Sequence, residues 1–221
     1  MFNRQKIAGF LIILFLILTA GIFYWSVRKN TGPSFEELFA NNTEKEKKDA
    51  TGQGKEPKID ISNPSLGPDS AKIIIVEYAD FNCPHCSIIN LELKKILQTY
   101  PKDIRLVWKD FPFLPPLPLT WKKHIAARCA GKQNKFWEYH DMLFSNQNLL
   151  SKEKLTEMAA SLNLDMASFN TCLEKEETKP LAQRDYDEGK EVGVDGTPYF
   201  FINGKKFLGD LNVESIKEFL Q

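Results

Sequence analysis

The sequence has no surplus of either charge: 29 Lys and Arg balance 29 Asp and Glu across 221 residues. That balance removes the basic footprint of a nucleic-acid binder and any global field that would steer acidic substrates. Cysteine is scarce as well. Cys83, Cys86, Cys129 and Cys172 are too few to staple a small scaffold that lacks a core, and only one pair is closely spaced, so a four-ligand zinc site has no second pair. No internal repeat is apparent. His124 and His140 stand in no partner pattern and read as surface or satisfied helix residues. What is present is apolar content, 43% of the chain, and enough length for one ordinary domain with extensions.

One long hydrophobic run is also present. Ile7 to Val27 holds no charged residue and, at about 1.5 Å per helical residue, would reach roughly the 30 Å of a bilayer core. Arg4 and Lys6 precede it, Arg28 and Lys29 follow, and Tyr24 with Trp25 sit where interfacial aromatics belong. A cleaved signal peptide is the rival reading, but its apolar region is usually about 7–15 residues and ends at small residues. Here the run continues through Ile22, Phe23, Tyr24 and Trp25. The expectation is a cytoplasmic tip and transmembrane signal anchor over 1–29, in contact with the lipid bilayer through 7–27. The flanking charges nearly balance, so charge leaves the orientation open.

From Asn30 to Ser62 the sequence is polar, with Glu44-Lys45-Glu46-Lys47-Lys48-Asp49 in its middle. It reads as a flexible linker. Phe35, Leu38 and Phe39 could form one amphipathic turn, but too little apolar surface follows to offset chain entropy. Order is expected from Asn63 onward. Ile73 to Val76 suits a strand buried on both faces, as in a central sheet, with a helix over Pro84 to Gln98 and a second strand over Ile104 to Trp108. Leu114-Pro115-Pro116-Leu117-Pro118 reads as a rigid connector, with a polyproline ligand as the other possibility. Helices are expected at Trp121–Ala130, Lys135–Phe144, Ser151–Leu162, Asp165–Glu174 and Thr178–Val192, the last stopped by Gly193. Tyr199–Ile202, Asn203-Gly204 and Lys205–Leu208 make a tight hairpin, and Asn212 to Leu220 a final helix.

The chemistry is expected at Cys83-Pro84-His85-Cys86, just past the carboxyl end of the first strand. With Cys83 at the helix N-cap, Pro84 falls at N1, where its missing N–H costs nothing, and Cys86 at N3. The Cys83 sulfur can then accept from the main-chain N–H groups of His85 and Cys86 at the positive end of the helix dipole. His85 could add a donor or a charge. A pKa of about 4.5 would stabilise the reduced form by roughly 3.4 kcal/mol at pH 7, making the disulfide about 70 mV more oxidising. Geometry also orders the roles: an exposed N-cap sulfur attacks or is attacked, and the inner Cys86 resolves the mixed disulfide.

Val76-Glu77-Tyr78-Ala79-Asp80-Phe81-Asn82-Cys83-Pro84-His85-Cys86, Lys109-Asp110-Phe111-Pro112, Ala126-Ala127-Arg128-Cys129-Ala130, Phe136-Trp137-Glu138-Tyr139-His140 and Gly193 to Gly204 together resemble the DsbA-type thioredoxin-like thiol oxidoreductases. The resemblance covers about Asn63 to Gln221. It implies an α/β thioredoxin fold with a helical insertion at about 118–176, and a protein-disulfide oxidase active outside the cytoplasm. By the same resemblance Cys83 is the nucleophile, Cys86 the resolving thiol, His85 the thiolate-tuning residue, and Thr197-Pro198 the substrate-binding cis-proline loop. It makes Glu77 a candidate buried acid that relays a proton to or from Cys86, against a solvated strand-end or a pairing with Lys109. It also suggests a structural disulfide between Cys129 and Cys172, closing a loop of about 44 residues with a contribution of about 4 kcal/mol in the chain-entropy account.

The implied partners are exported cysteine-containing proteins and a quinone-linked membrane protein that reoxidises the site. No cofactor beyond the Cys83–Cys86 disulfide is implied. Two alternatives stay open: a reductase or isomerase of the same fold, and a copper-binding chaperone using Cys83, His85 and Cys86 as soft ligands.

Overall fold

The computed structural model describes residues 55–112, 118–149 and 151–220, together with Leu18, Thr19, Gly21 and Trp25, which are helical. Nearly all of the expected span at 7–27, the linker as far as 54, and residues 114–117 of the proline segment lie outside the described residues. Among the described residues, no helix is long and apolar enough to cross a membrane. The chain divides into two compact units, Met1–Gln53 and Gly54–Gln221. The second begins ahead of the expected start at Asn63, because its polar lead-in has partners. The Lys58 carbonyl accepts from Lys109 at 2.6 Å, the Ser62 carbonyl accepts from Arg128 at 3.0 Å, and Arg184 bonds Asp60 at 2.9 Å.

Five strands form one sheet in the order β1-β3-β2-β4-β5. They are β1 (Ser65–Leu66), β2 (Ile73–Ala79), β3 (Ile104–Asp110), β4 (Tyr199–Ile202) and β5 (Lys205–Phe207). The two central strands are parallel, joined through helix α1 (Pro84–Thr99), while β4 runs antiparallel to β2 and β5 antiparallel to β4. β2 is covered on both faces, which is why its sequence runs apolar instead of alternating. Ile73 and Ile75 face α1 with Leu93 and Ile96, and Val76 and Tyr78 face Phe111, Val194 and Phe201. The β4–β5 turn carries positive φ at both Asn203 (49°) and Gly204 (79°), the tight-turn geometry expected of Asn-Gly.

Between β3 and β4 lies the helical insertion: α2 (Pro118–Gly131), α3 (Phe136–Ser145), α4 (Lys152–Ser161) and α5 (Met166–Glu174), followed by α6 (Lys179–Glu191). Pro118, expected in a connector, starts α2, the end of a helix where a missing N–H is harmless. Ser151 caps α4 by accepting from the Lys154 N–H at 3.2 Å. Cys129 of α2 and Cys172 of α5 are joined by a disulfide within a core that also holds Phe169, Leu155, Tyr139 and Phe81. α6 passes close over β2 and β3 at Gly189, where a Cβ would stand 2.7 Å from the Phe111 ring. α7 (Val213–Lys217) closes the domain behind a capping box formed by Asn212 and Ser215.

Candidate active site

Cys83 caps α1 in an extended conformation (φ −78°, ψ 117°), and its Sγ accepts from the Cys86 N–H at 3.4 Å. Pro84 follows at the first helical position. The sulfur is less open than expected: Cys83 is only 8% exposed, because the Thr197-Pro198 loop stands over it, while Cys86 is fully buried. The order of access between the two thiols remains. Both are free in this structure.

The hydrogen bond with the Cys86 side chain is the largest influence on Cys83 and lowers its pKa. Partial burial opposes it, and the Thr197 side chain and the N–H groups of Cys86 and His85 add to the lowering, leaving the thiol at about 5. In the protonated form Sγ–H donates to the Thr197 carbonyl at 3.2 Å, a contact that favours the thiol. His85 itself is exposed, and its main-chain N–H is among the donors that lower Cys83. Cys86 moves the other way: burial pushes its thiol up, with its bond to Cys83 and the charge of Glu77 adding to the effect. The two sulfurs therefore hold one negative charge, at Cys83.

Glu77 lies on β2 beneath them. It is 1% exposed, sits in register between Trp108 and Phe200, and its Oε1 has no hydrogen-bond partner. Burial raises its pKa to about 8, and the nearby Cys83 charge works in the same direction. Neither the solvated strand-end nor the Lys109 pairing is what forms. Lys109 is in register with Tyr78 and projects from the opposite face of the sheet, where its Nζ donates to Glu188 at 2.6 Å.

Thr197-Pro198 is a cis peptide bond facing Cys83. Beside it a groove of about 790 Å³ runs between α1 and the β4–β5 hairpin, lined by His85, Ile88, Pro198, Tyr199, Phe207 and Leu208 among others. Ile88 and Leu208 are 63% and 78% exposed, so its rim is apolar. Among the described residues no group of three or more His, Cys, Asp or Glu side chains is arranged to hold a metal, and Cys83, His85 and Cys86 are no exception.

The residues that sequence reasoning missed form a buried charge network behind the thiols. Asp110, His124, Arg128 and Asp185 are each at most 4% exposed. Arg128 donates from Nε to Asp110 and from Nη2 to Asp185, and His124 Nδ1 lies 2.7 Å from Asp110 Oδ1. His124 is thus a buried ion-pair member, and His140 is buried too, among Phe81, Trp108, Phe136 and Trp137. The available signal was the spacing of His124 and Arg128, four apart on one helix face, flanking apolar Ile125 to Ala127.

Residues 60–221 match a protein-family model described as thioredoxin. Among curated proteins, the Na(+)/H(+) antiporter NhaA 3 of Salinispora tropica is 34% identical over 150 residues, covering 68% of this chain and 23% of that protein. The antiporter NhaA of Herminiimonas arsenicoxydans is 28% identical over 167 residues, covering 75% and 26%. The chain thus spans about a quarter of the length of these relatives. Among solved structures, oxidised BdbD from Bacillus subtilis superposes with a TM-score of 0.64 at 23% identity, covering 75% of this chain and 94% of that one. The alpha-DsbA1 of Wolbachia pipientis gives 0.61 at 22% identity, over 72% and 89%. The catalytic domain of Proteus mirabilis ScsC gives 0.62 at 22%, over 73% and 88%.

Proposed function

The chain belongs to the thioredoxin family, and from that premise we propose that it is a protein-disulfide oxidoreductase that donates the Cys83–Cys86 disulfide to exported proteins. The observation that carries this reading is the separation of the two thiols, with Cys83 at about 5 and Cys86 pushed up by burial. A substrate thiolate attacks Cys83 Sγ, the Cys83–Cys86 bond breaks, and Cys86 leaves and takes a proton. A second substrate thiolate then attacks the substrate sulfur of the mixed disulfide, and Cys83 leaves as a stable thiolate. Two electrons pass from substrate to enzyme, and the substrate gains a disulfide. Glu77, protonated below about pH 8 and coupled electrostatically to Cys86, is the acid placed to serve the resolving thiol. The cis-proline loop and its apolar-rimmed groove offer main chain and surface to an extended peptide.

The same asymmetry supports the oxidase direction. At pH 7 a thiol of pKa about 5, against roughly 8.5 unperturbed, stabilises the reduced enzyme by roughly 2.7 kcal/mol, or about 60 mV toward a stronger oxidant. An oxidase needs a compartment where disulfides persist, which supports reading 7–27 as an anchor and the catalytic domain as extracytoplasmic. A membrane quinone-linked protein as the acceptor of the two electrons completes the proposal. Two measurements test it. Alkylation rate against pH is expected to show Cys83 half-ionised near pH 5, and a midpoint near 8.5 would contradict thiolate activation. Equilibration with glutathione is expected to leave the enzyme largely reduced; a strongly reducing potential would overturn the oxidase direction in favour of the reductase or isomerase.

A further inference from the structure

We propose that His124 is a positioning residue for the thiol pair: bridging the carboxylates of Asp80 and Asp110, it fixes the turn whose main chain touches both cysteines. The inference rests on the thiol-exchange reading above and concerns how the charge at Cys83 is maintained.

Asp80 is the residue through which the turn reaches both sulfurs' neighbourhoods. Its carbonyl accepts the Cys83 N–H at 3.0 Å, its N–H reaches the Cys86 sulfur, and its Oδ1 accepts the Asn82 N–H at 2.8 Å. Its side chain is fully buried. A carboxylate so placed needs a counter-charge, or it repels the thiolate three residues away. His124 supplies one. Its Nε2 lies 3.5 Å from Asp80 Oδ1 and its Nδ1 2.7 Å from Asp110 Oδ1, with both partners buried. The ring packs against Phe81, centroids 4.8 Å apart, and near Trp108 at 6.3 Å, so it has one seat. The charged groups around it come from every packed element: Asp80 from the turn, Asp110 from β3, Lys123 and Arg128 from α2, and Asp185 from α6 beyond Arg128. Burial disfavours the charged ring, but the hydrogen bond to Asp110 and the charges of Asp110 and Asp80 outweigh it and raise its pKa to about 9, so it is a cation at neutral pH. The same α2 turn grips the next residue: Asn82 donates to Thr120 at 2.9 Å and accepts from Lys123. α2 therefore holds both the position and the charge balance of the residues leading into Cys83.

The test uses the whole chain and reads ultraviolet thiolate absorbance against pH, the glutathione equilibrium at pH 7, and denaturant stability in both redox forms. His124→Phe removes a buried cation from beside Asp80 and leaves Lys123 as a charge still facing it, so the Cys83 midpoint is expected to rise by about one unit and the equilibrium constant to fall about tenfold. The reduced form should lose more stability than the oxidised form by that same factor. Adding Asp80→Asn to this background removes that carboxylate's charge and is expected to return the midpoint at least half-way. His124→Gln, which keeps a donor but no charge, should shift in the same direction and guards against failure of the Phe variant to fold. Equal stability loss in both redox forms, with midpoint and equilibrium within twofold of native, would mean a purely structural His124 and overturn the proposal. The two readings fail separately. A native midpoint near 8.5 defeats the functional reading, whereas a native midpoint near 5 that neither variant moves sinks only this inference.

Discussion

Replacing Glu77 with Leu is expected to stabilise the domain, by an amount that grows with pH to roughly 4–5 kcal/mol by pH 8. The buried carboxyl is protonated in the folded state up to about pH 8, whereas the unfolded group ionises near 4.5. Between those values the folded chain holds a proton that the unfolded chain has released. Stability linked to Glu77 is therefore fully present below pH 4.5 and is lost as pH rises through about 8, at about 1.36 kcal/mol per pH unit. Cys83 runs the opposite way in the reduced protein. Its folded pKa is depressed to about 5, so its contribution is lost as pH falls through that value. The readout is consequently the difference between native and Glu77→Leu, in which the Cys83 contribution largely cancels. Urea unfolding of the reduced chain from pH 5 to 8 measures it. A difference that stays flat with pH would mean that Glu77 is ionised in the folded state, and would remove it as the acid for Cys86. The gain in stability should come with slower formation of the mixed disulfide, since the departing Cys86 thiolate loses the acid proposed to protonate it. A destabilising group kept beneath a reactive pair is the pattern expected where function opposes packing.

The thiol end of the molecule was legible because local chemistry dictates it. An apolar β-branched run followed by Cys-Pro-x-Cys leaves few options: the strand must end, Pro84 must open the helix, and Cys83 must cap it. Asn203-Gly204 fixed the hairpin for a similar local reason. Openness of Cys83 was not legible, since it depends on the Thr197-Pro198 loop, which is more than a hundred residues away. Glu77 was ambiguous because strand alternation says which face a residue takes and not what covers that face; here Trp108 and Phe200 flank it. The charge network was hidden for a different reason. Asp110, His124, Arg128 and Asp185 each look solvated in sequence, and only the docking of α2 and α6 against the end of β3 brings them together. The early start of the ordered domain has the same origin, because the polar lead-in is held by Lys109, Arg128 and Arg184 of this network and its rim.

Arg128→Met is expected to cost about 3–5 kcal/mol, the loss seen when one partner of a buried ion pair is removed and the other stays. Arg128 is 4% exposed and serves three acceptors: Asp110, Asp185 and the Ser62 carbonyl. Met fills much of the volume, so the loss reports charge more than packing. Burial pushes Asp110 up, yet Arg128 and His124 hold its carboxyl below the ordinary value; burial leaves Asp185 raised. A carboxyl held low gives stability that is present above its unfolded pKa and lost on acidification. Without Arg128 that contribution from Asp110 goes, and both carboxylates favour protonation. The deficit of the variant should accordingly shrink from pH 7 to pH 5, and adding Asp185→Asn should recover part of it at pH 7. Urea midpoints of the single and double variants at the two pH values decide the matter. A loss under about 1 kcal/mol, or one that does not change with pH, would show that water reaches these carboxylates and screens them. The same variant separates the two ends of the network. Lys109 retains Glu188 and the Lys58 carbonyl, and His124 retains Asp80 and Asp110, so the Cys83 midpoint should move less in Arg128→Met than in His124→Phe although the stability loss is large.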